Sequence, residues 1–304
     1  MARKSNKRDV DGWLIVDKPA GITSTSVVNK VKWLFQAKKA GHAGTLDPDA
    51  TGLLAIAFGE ATKTIPYITD GLKTYEFVVT LGAATTTDDA QGDIINSNEL
   101  RPSDEIVRAA LPAFTGIISQ TPPKFSAVKI NGERAYTIAR RGDDVELASR
   151  ELFVNKLEFV NRLSQEDVEL VLICGKGGYV RSIARDLGEK LGCLAHVKWL
   201  RRLDTGPFDI KQSTSLDDLL AIENMDDLEA LLLPLETGLT EIESINISDQ
   251  NATDIQHGMC VPVATDPSGP DTPVWANLNG KAHAVGVIEF GIFKPKRVIL
   301  QRKP

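Results

Sequence analysis

The chain has 304 residues, 42% of them hydrophobic and 25% charged. That is room for a large core and favours one large domain plus a small one, while no apolar run approaches the ~20 residues a bilayer crossing needs. The net charge of −6 argues at first against a nucleic-acid partner.

The first residues, MARKSNKRDVDG, are basic but lack an apolar stretch, so they do not read as a secretory signal. Trp13 to Lys18 reads as a strand that stops at Pro19-Ala20-Gly21. Ser24 offers an N-cap for a helix through about Phe35, with Val27, Val28, Val31, Leu34 and Phe35 spaced for one buried face. The stretch GHAGTLDPDATGLLAIAFG, Gly41 to Gly59, then centres on Asp47. Its glycines give backbone freedom where a side chain would obstruct a turn or a ligand. Pro48 disfavours helix at Asp47, so the carboxylate stands on an extended or turn backbone before the apolar run Leu53 to Phe58, a buried strand. Local chemistry alone favours the plainer reading, in which Asp47 starts a turn or caps a short helix.

Ala61 to Thr69 reads as a short helix, and Lys73 to Gly82 as a strand carrying Tyr75, a position that also suits a sheet-edge tyrosine with a wet hydroxyl. Thr85 to Asp93 is a polar loop, and Ser103 to Leu111 a capped amphipathic helix. After the break Gln120-Thr121-Pro122-Pro123, Phe125 to Arg134 reads as a hairpin turned on Asn131-Gly132, followed by a helix Ala135 to Arg141 that ends at Gly142. Lys124, Lys129, Arg134, Arg140, Arg141 and Arg150 interleave there with Phe125 and Tyr136, a pattern suited to phosphates and exposed bases. Glu151 to Asn161 and Val168 to Cys174 are strands, Gly175 to Gly178 a hinge, and Tyr179 to Leu191 a helix ending at Gly192. On it Arg185 and Glu189 read as a surface pair, one turn apart. Val197 to Leu203 is a further strand. Acidic helices follow over Leu216 to Leu233, and from about Ile245 short strands suggest a small β-barrel.

Charge is unevenly spread. Met1 to His42 holds nine Lys/Arg against three acids, whereas Leu216 to Ser244 holds nine acids and no Lys or Arg. Local potential, not the whole-chain sum, decides phosphate binding. Cys174, Cys193 and Cys260 form no CxxC pair, and the four histidines show no HExxH spacing, so neither a disulfide frame nor a metal site is expected. The chain reads as a cytoplasmic protein. No Gly-Lys-Ser/Thr occurs, which excludes a P-loop and gives no sign of a nucleotide cofactor.

His42-Ala43-Gly44-Thr45-Leu46-Asp47-Pro48 with Ala50-Thr51-Gly52-Leu53-Leu54 resembles the catalytic motif of the TruB family of tRNA pseudouridine synthases. DKPAGITS ahead of it, the K-x-Y strand at Tyr75, GKGGYVRSIARDLG and VKWLRRL match in the same order. The resemblance is strong from Gly12 to Leu203 and faint beyond. It implies an α/β fold, a mixed and largely antiparallel sheet with flanking helices, plus a small C-terminal PUA-like β-barrel. The domains would be 1–244, with 124–150 as a thumb-like RNA-binding insertion, and 245–304. It implies isomerisation of uridine 55 in the tRNA T-arm to pseudouridine by a monomer that needs no cofactor. Asp47 would be the nucleophile, Tyr75 would stack on the target base, and Arg181 would pair with the aspartate. The chemistry wants such a cation, because a buried unpaired carboxylate protonates and is lost as a nucleophile. His42 would fill the space left by the flipped base. Lys18, Tyr179, Leu200, Lys129, Arg140 and Arg141 would contact the RNA.

Two other classes compete. A glycoside hydrolase could use Asp47 and Asp49 as paired carboxylates, though sugar sites favour aromatic platforms and only 6% of the chain is aromatic. An RNA-binding protein or RNA chaperone would explain the basic stretches, but it has no need of Asp47, Tyr75 and Arg181 together.

Overall fold

Trp13, Leu14, Ile15 and Val16 are all buried, so the first strand has apolar neighbours on both faces. In the computed structural model, which describes residues 7–130, 132–143, 146–264 and 271–301, this strand is β1 (Gly12–Lys18). Helix α1 (Ser24–Leu34) follows, burying Val27, Val28 and Val31. Next come β2 (Ala40–His42) and β3 (Thr51–Phe58), then a 3-10 turn (Gly59–Lys63) and α2 (Ile65–Asp70). Strand β4 (Lys73–Leu81) leads to a small hairpin, β5 (Ala83–Thr85) and β6 (Ile94–Ser97), and to α3 (Asp104–Ala110). Beyond β7 (Gly116–Gln120) lie β8 (Lys129–Ile130), β9 (Glu133–Arg134) and α4 (Ala135–Arg140). The long strands β10 (Arg150–Arg162) and β11 (Asp167–Cys174) precede α5 (Val180–Leu191) and β12 (Ala195–Thr205). Then follow β13 (Phe208–Asp209), β14 (Thr214–Ser215), α6 (Leu216–Ala221) and α7 (Met225–Ala230). The chain closes with β15 (Glu243–Asn246), α8 (Asp249–Gln256), β16 (Val261–Pro262), β17 (Val274–Leu278), β18 (Lys281–Glu289) and β19 (Ile292–Val298).

The chain forms two compact units. Among the described residues, one takes those up to Pro48, Leu53–Asp70 and those from Thr205; the other takes Asp49–Gly52 and those of 71–204. In the first unit β1 runs parallel to β14, and β2 pairs antiparallel with β3. Its second sheet is open, in the order β15-β17-β18-β19-β16, and gives the C-terminal end a PUA-like half-barrel. Ala282, Val285 and Ile299 from this end pack in one cluster with Trp13, Ile15, Leu53 and Ala57. The second unit orders its strands β12-β4-β11-β10-β7, with antiparallel register from β4 through β7. The start of β3 joins it in parallel, Thr51 opposite Arg201 and Gly52 opposite Arg202. The fold is therefore mixed α/β and largely antiparallel, as expected.

Several details differ from the sequence reading. Thr23, not Ser24, caps α1: its hydroxyl accepts from the Ser26 N–H at 3.1 Å. Ser103 holds the N-cap position of α3 without a side-chain bond to the helix backbone. Ala61 to Thr69 is a 3-10 turn followed by a short α-helix. Arg185 is no surface pair with Glu189 but lies half-buried against Asp88 and Asp186. Strand β15 and helix α8 have no counterpart in the sequence reading. The hairpin before α4 forms as expected, Lys129 opposite Arg134, and of its expected turn Asn131-Gly132 the first residue lies outside the described residues.

Candidate active site

Asp47 stands on irregular backbone between β2 and β3, half-buried, with buried Leu46 on one side and exposed Pro48 on the other. Gly44 ahead of it has φ +95° and Gly52 behind it φ +95°, values an L side chain rarely adopts. A Cβ at Gly52 would also lie 2.3 Å from the Arg202 carbonyl oxygen, so glycine is required where β3 meets β12. Two side chains brace the loop. Ser24 Oγ bonds both the N–H and the carbonyl of Leu46, each at 2.9 Å. Lys18 is fully buried, and its Nζ donates to the carbonyls of Pro19 (2.7 Å), Ile22 (2.8 Å) and Pro48 (2.7 Å). Three donors meeting three acceptors leave no proton for a phosphate. The expected RNA contact at Lys18 is thereby corrected: the lysine holds the Asp47 loop from beneath. His42 sits at the end of β2, half-buried, opposite Ile56.

In the second unit Tyr75 is buried at 8% exposure on β4, which lies between β12 and β11. An edge tyrosine with a wet hydroxyl is thus excluded. Its hydroxyl is hydrogen-bonded to Arg202, itself 1% exposed on β12. Burial pulls the Arg202 guanidinium below its ordinary pKa, and the tyrosine opposes that shift. The alternation of both strands sends their next residues to the other face, where Arg201 faces Glu76.

Arg181, on the first turn of α5, is also buried. It donates to the carbonyls of Thr87 and Phe125, both at 3.0 Å, and approaches Asp89 Oδ2 at 3.6 Å. Arg185, one turn on, meets Asp88 at 3.1 Å, Asp186 at 2.8 Å and the Thr121 carbonyl at 2.9 Å. Burial raises the carboxyl pKa of Asp88, and the two arginines work against that rise. Gln120 clamps the backbone before the helix, accepting from the Tyr179 N–H at 2.9 Å and donating to its carbonyl at 3.1 Å. Tyr179 and Leu200 are half-buried. Lys129 and Arg140 are exposed, Arg140 within 5.6 Å of the Tyr136 ring. Arg141 is exposed too, but its guanidinium is shared by Glu133 (2.5 Å) and Asp143 (3.2 Å). An open cleft of about 590 Å³ lined by Arg108, Leu111, Glu158 and Phe159 contains none of these residues. Among the described residues there is no cluster of three metal-ligating side chains, and no helix is long and apolar enough to cross a membrane.

Residues 32–180 match the family model of the TruB family pseudouridylate synthase N-terminal domain, and residues 181–240 that of the tRNA pseudouridylate synthase B C-terminal domain. The chain belongs to the TruB family. It is 53% identical over 301 residues to tRNA pseudouridine synthase B of Ruegeria sp. (strain TM1040), covering 99% of this chain and 100% of that one. It is 47% identical over 313 residues to the protein of that name from Chelativorans sp. (strain BNC1), covering 98% and 99%. As a TruB-family enzyme it isomerises uridine in tRNA to pseudouridine. Two solved structures share the fold. A Cbf5-Nop10-Gar1 complex superposes with a TM-score of 0.74 at 24% identity, over 98% of this chain and 88% of the other. An H/ACA RNP bound to a substrate RNA containing 2′-deoxyuridine gives 0.73 at 22% identity, over 96% and 86%.

The TruB motifs lead to Asp47, Tyr75 and Arg181 directly, but give no sign of four polar residues that surround Tyr75 and Arg181 in the second unit. Asp88 and Asp89 looked like members of a polar loop, Gln120 like part of a break, and Arg202 like one of several basic residues. The one available signal was at Arg202: an arginine pair on an alternating strand must send one guanidinium inward.

Proposed function

We propose that the substrate is uridine 55 of the tRNA T-arm and that Asp47 is the nucleophile. The observation that carries this reading is the brace on Asp47: a half-buried carboxylate on a glycine-freed loop, held by a buried lysine and a buried serine. A loop fixed in this way presents its carboxylate without reorganisation. The target base flips out of the folded T-loop, and His42 fills the space it leaves. Attack by Asp47 on the nucleoside breaks the bond from N1 to C1′ and divides a hard step into easier ones. The uracil turns, C5 joins C1′, the Asp47 carboxylate is released, and the C5 proton is lost while N1 takes one up. Tyr75 stacks on the base and takes that proton; Arg181 keeps a nucleophilic carboxylate ionised. Tyr179 and Leu200 contact the nucleoside, while Lys129, Arg140 and Arg141 on the thumb (124–150) meet phosphates. Residues 1–244 act as the synthase domain and 245–304 as a PUA-like RNA-binding domain. The enzyme works as a cytoplasmic monomer without a cofactor.

The test is to incubate unmodified tRNA with the pure protein and map pseudouridine, beside Asp47→Asn. The variant is expected to lose at least about 10³-fold in turnover with RNA affinity nearly kept. Turnover within tenfold of wild type, or pseudouridine elsewhere than position 55, would overturn the corresponding half of the proposal.

A further inference from the structure

Arg202 is an expensive residue for its position. A guanidinium carries a permanent charge, and removing it from water is costly unless acceptors surround it. At 1% exposure on an interior-facing position of β12 it is among the largest fully buried side chains of the described residues. Its backbone is held as tightly, since Gly52 packs against its N and O so closely that no side chain would fit there. The hydroxyl of Tyr75, on the neighbouring strand β4, is hydrogen-bonded to that guanidinium. Strand alternation sends the adjacent residues Glu76 and Arg201 to the opposite face, where the arginine charge acts on the carboxyl, so the two arginines of β12 serve different faces.

We propose that Arg202 is a positioning residue for Tyr75, fixing its ring and balancing the negative charge that its oxygen carries as a base. This rests on the reading of Tyr75 as the group that deprotonates C5. Once C5 has joined C1′ it still bears its hydrogen. The tyrosine oxygen, as phenolate, takes that proton; the electron pair of the C5–H bond becomes the C5–C6 double bond. N1 takes up a proton from water, and the phenol later returns its own to water. A fixed cation beside the oxygen favours the charged form it needs at the start of the step.

The experiment follows single-turnover conversion of saturating tRNA by Arg202→Met, Arg202→Lys, Tyr75→Phe and the double variant Tyr75→Phe/Arg202→Met. Each is run with ordinary substrate and with substrate deuterated at uracil C5. Arg202→Met should slow conversion more than tenfold, keep RNA affinity within about threefold, and expose a primary isotope effect at C5. Lysine should restore part of the rate. In the Tyr75→Phe background the same loss of Arg202 should change the rate less than twofold. An equal loss in both backgrounds would overturn the proposal, as would a wild-type rate for Arg202→Met. If methionine there prevents folding, the lysine variant carries the isotope measurement alone, and no isotope effect in a slowed enzyme would count against it. Tyr75→Phe turning over normally would instead sink the reading of Tyr75 itself.

Discussion

A lysine at a strand end is commonplace on a surface, and nothing in the pattern around Lys18 marks it as interior. Only the structure shows its ammonium satisfied by three carbonyls. Lys18→Met would leave those acceptors without a donor, at about 1–3 kcal/mol for each buried one. We expect turnover to fall more than tenfold, with the salt dependence of tRNA binding unchanged. Had Lys18 touched a phosphate, the slope of log affinity against log salt would flatten by about 0.7 to 0.9. The cysteines give a second test. Burial pushes the Cys174 thiol up to about 11 and raises Cys193 as well, while Cys260 is exposed. Alkylation of the native protein at neutral pH should therefore modify Cys260 alone, read by peptide mass. His283 gives a third. Its ring is buried on β18, Nδ1 has no hydrogen-bond partner among the described residues, and burial lowers its pKa. A lowered histidine favours the fold while neutral. Its contribution is complete above the ordinary histidine value of about 6.5 and is lost as pH falls toward the folded value. Melting temperature should drop on acidification, and His283→Gln should flatten that drop.

The thumb is where net charge and function separate. Arg140 lies open beside Tyr136, whereas Arg141 is already divided between Glu133 and Asp143. Arg140→Gln should flatten the salt slope of RNA binding by about 0.7 to 0.9, and Arg141→Gln by visibly less, because its charge is largely offset before RNA arrives. Changing Asp226 and Asp227 on α7 to Asn should leave the slope alone; equal slopes for all these variants would mean that binding follows net charge. The same contrast explains what was legible. Strands β1, β3, β4, β10 and β11 announce themselves by apolar runs or alternation, and helices α1 and α5 by one buried stripe, because burial of whole faces leaves a period in the sequence. A fixed motif led to Asp47, Tyr75 and Arg181. The carboxylates of Asp88 and Asp89 were not legible as partners, since an ion pair across roughly ninety residues leaves no period. Nor was α8, whose eight residues include only Ala252 and Ile255 as buried positions.

At the scale of the whole molecule, the C-terminal half-barrel is part of a shared core rather than an appended module. Ala282, Val285 and Ile299 lie against Trp13 and Ala57, Lys63 Nζ donates to the Val298 carbonyl at 2.8 Å, and the Leu300 N–H to Glu60 at 2.7 Å. Were residues 245–304 a separable domain, deleting them would merely weaken RNA binding and spare the chemistry. The structure predicts instead that this truncation loses its cooperative melting transition and aggregates, through apolar surface left bare around Trp13. A soluble truncation with a wild-type single-turnover rate would refute this.

The interleaving of the two units also sets a timetable for biosynthesis. All of the second unit has been synthesised once Asp204 has left the ribosome, but the first must wait for strands near its very end. At roughly 5–20 residues per second, that is about 5–20 s during which the half carrying Tyr75 and Arg181 is complete and the half carrying Asp47 is not. Nascent chains stalled near residue 240 should resist protease over 71–204 and be cut within the first seventy residues. For that interval the apolar strands β1 and β3 have no finished core to enter, and the growing polypeptide is the form of this enzyme most in need of a chaperone.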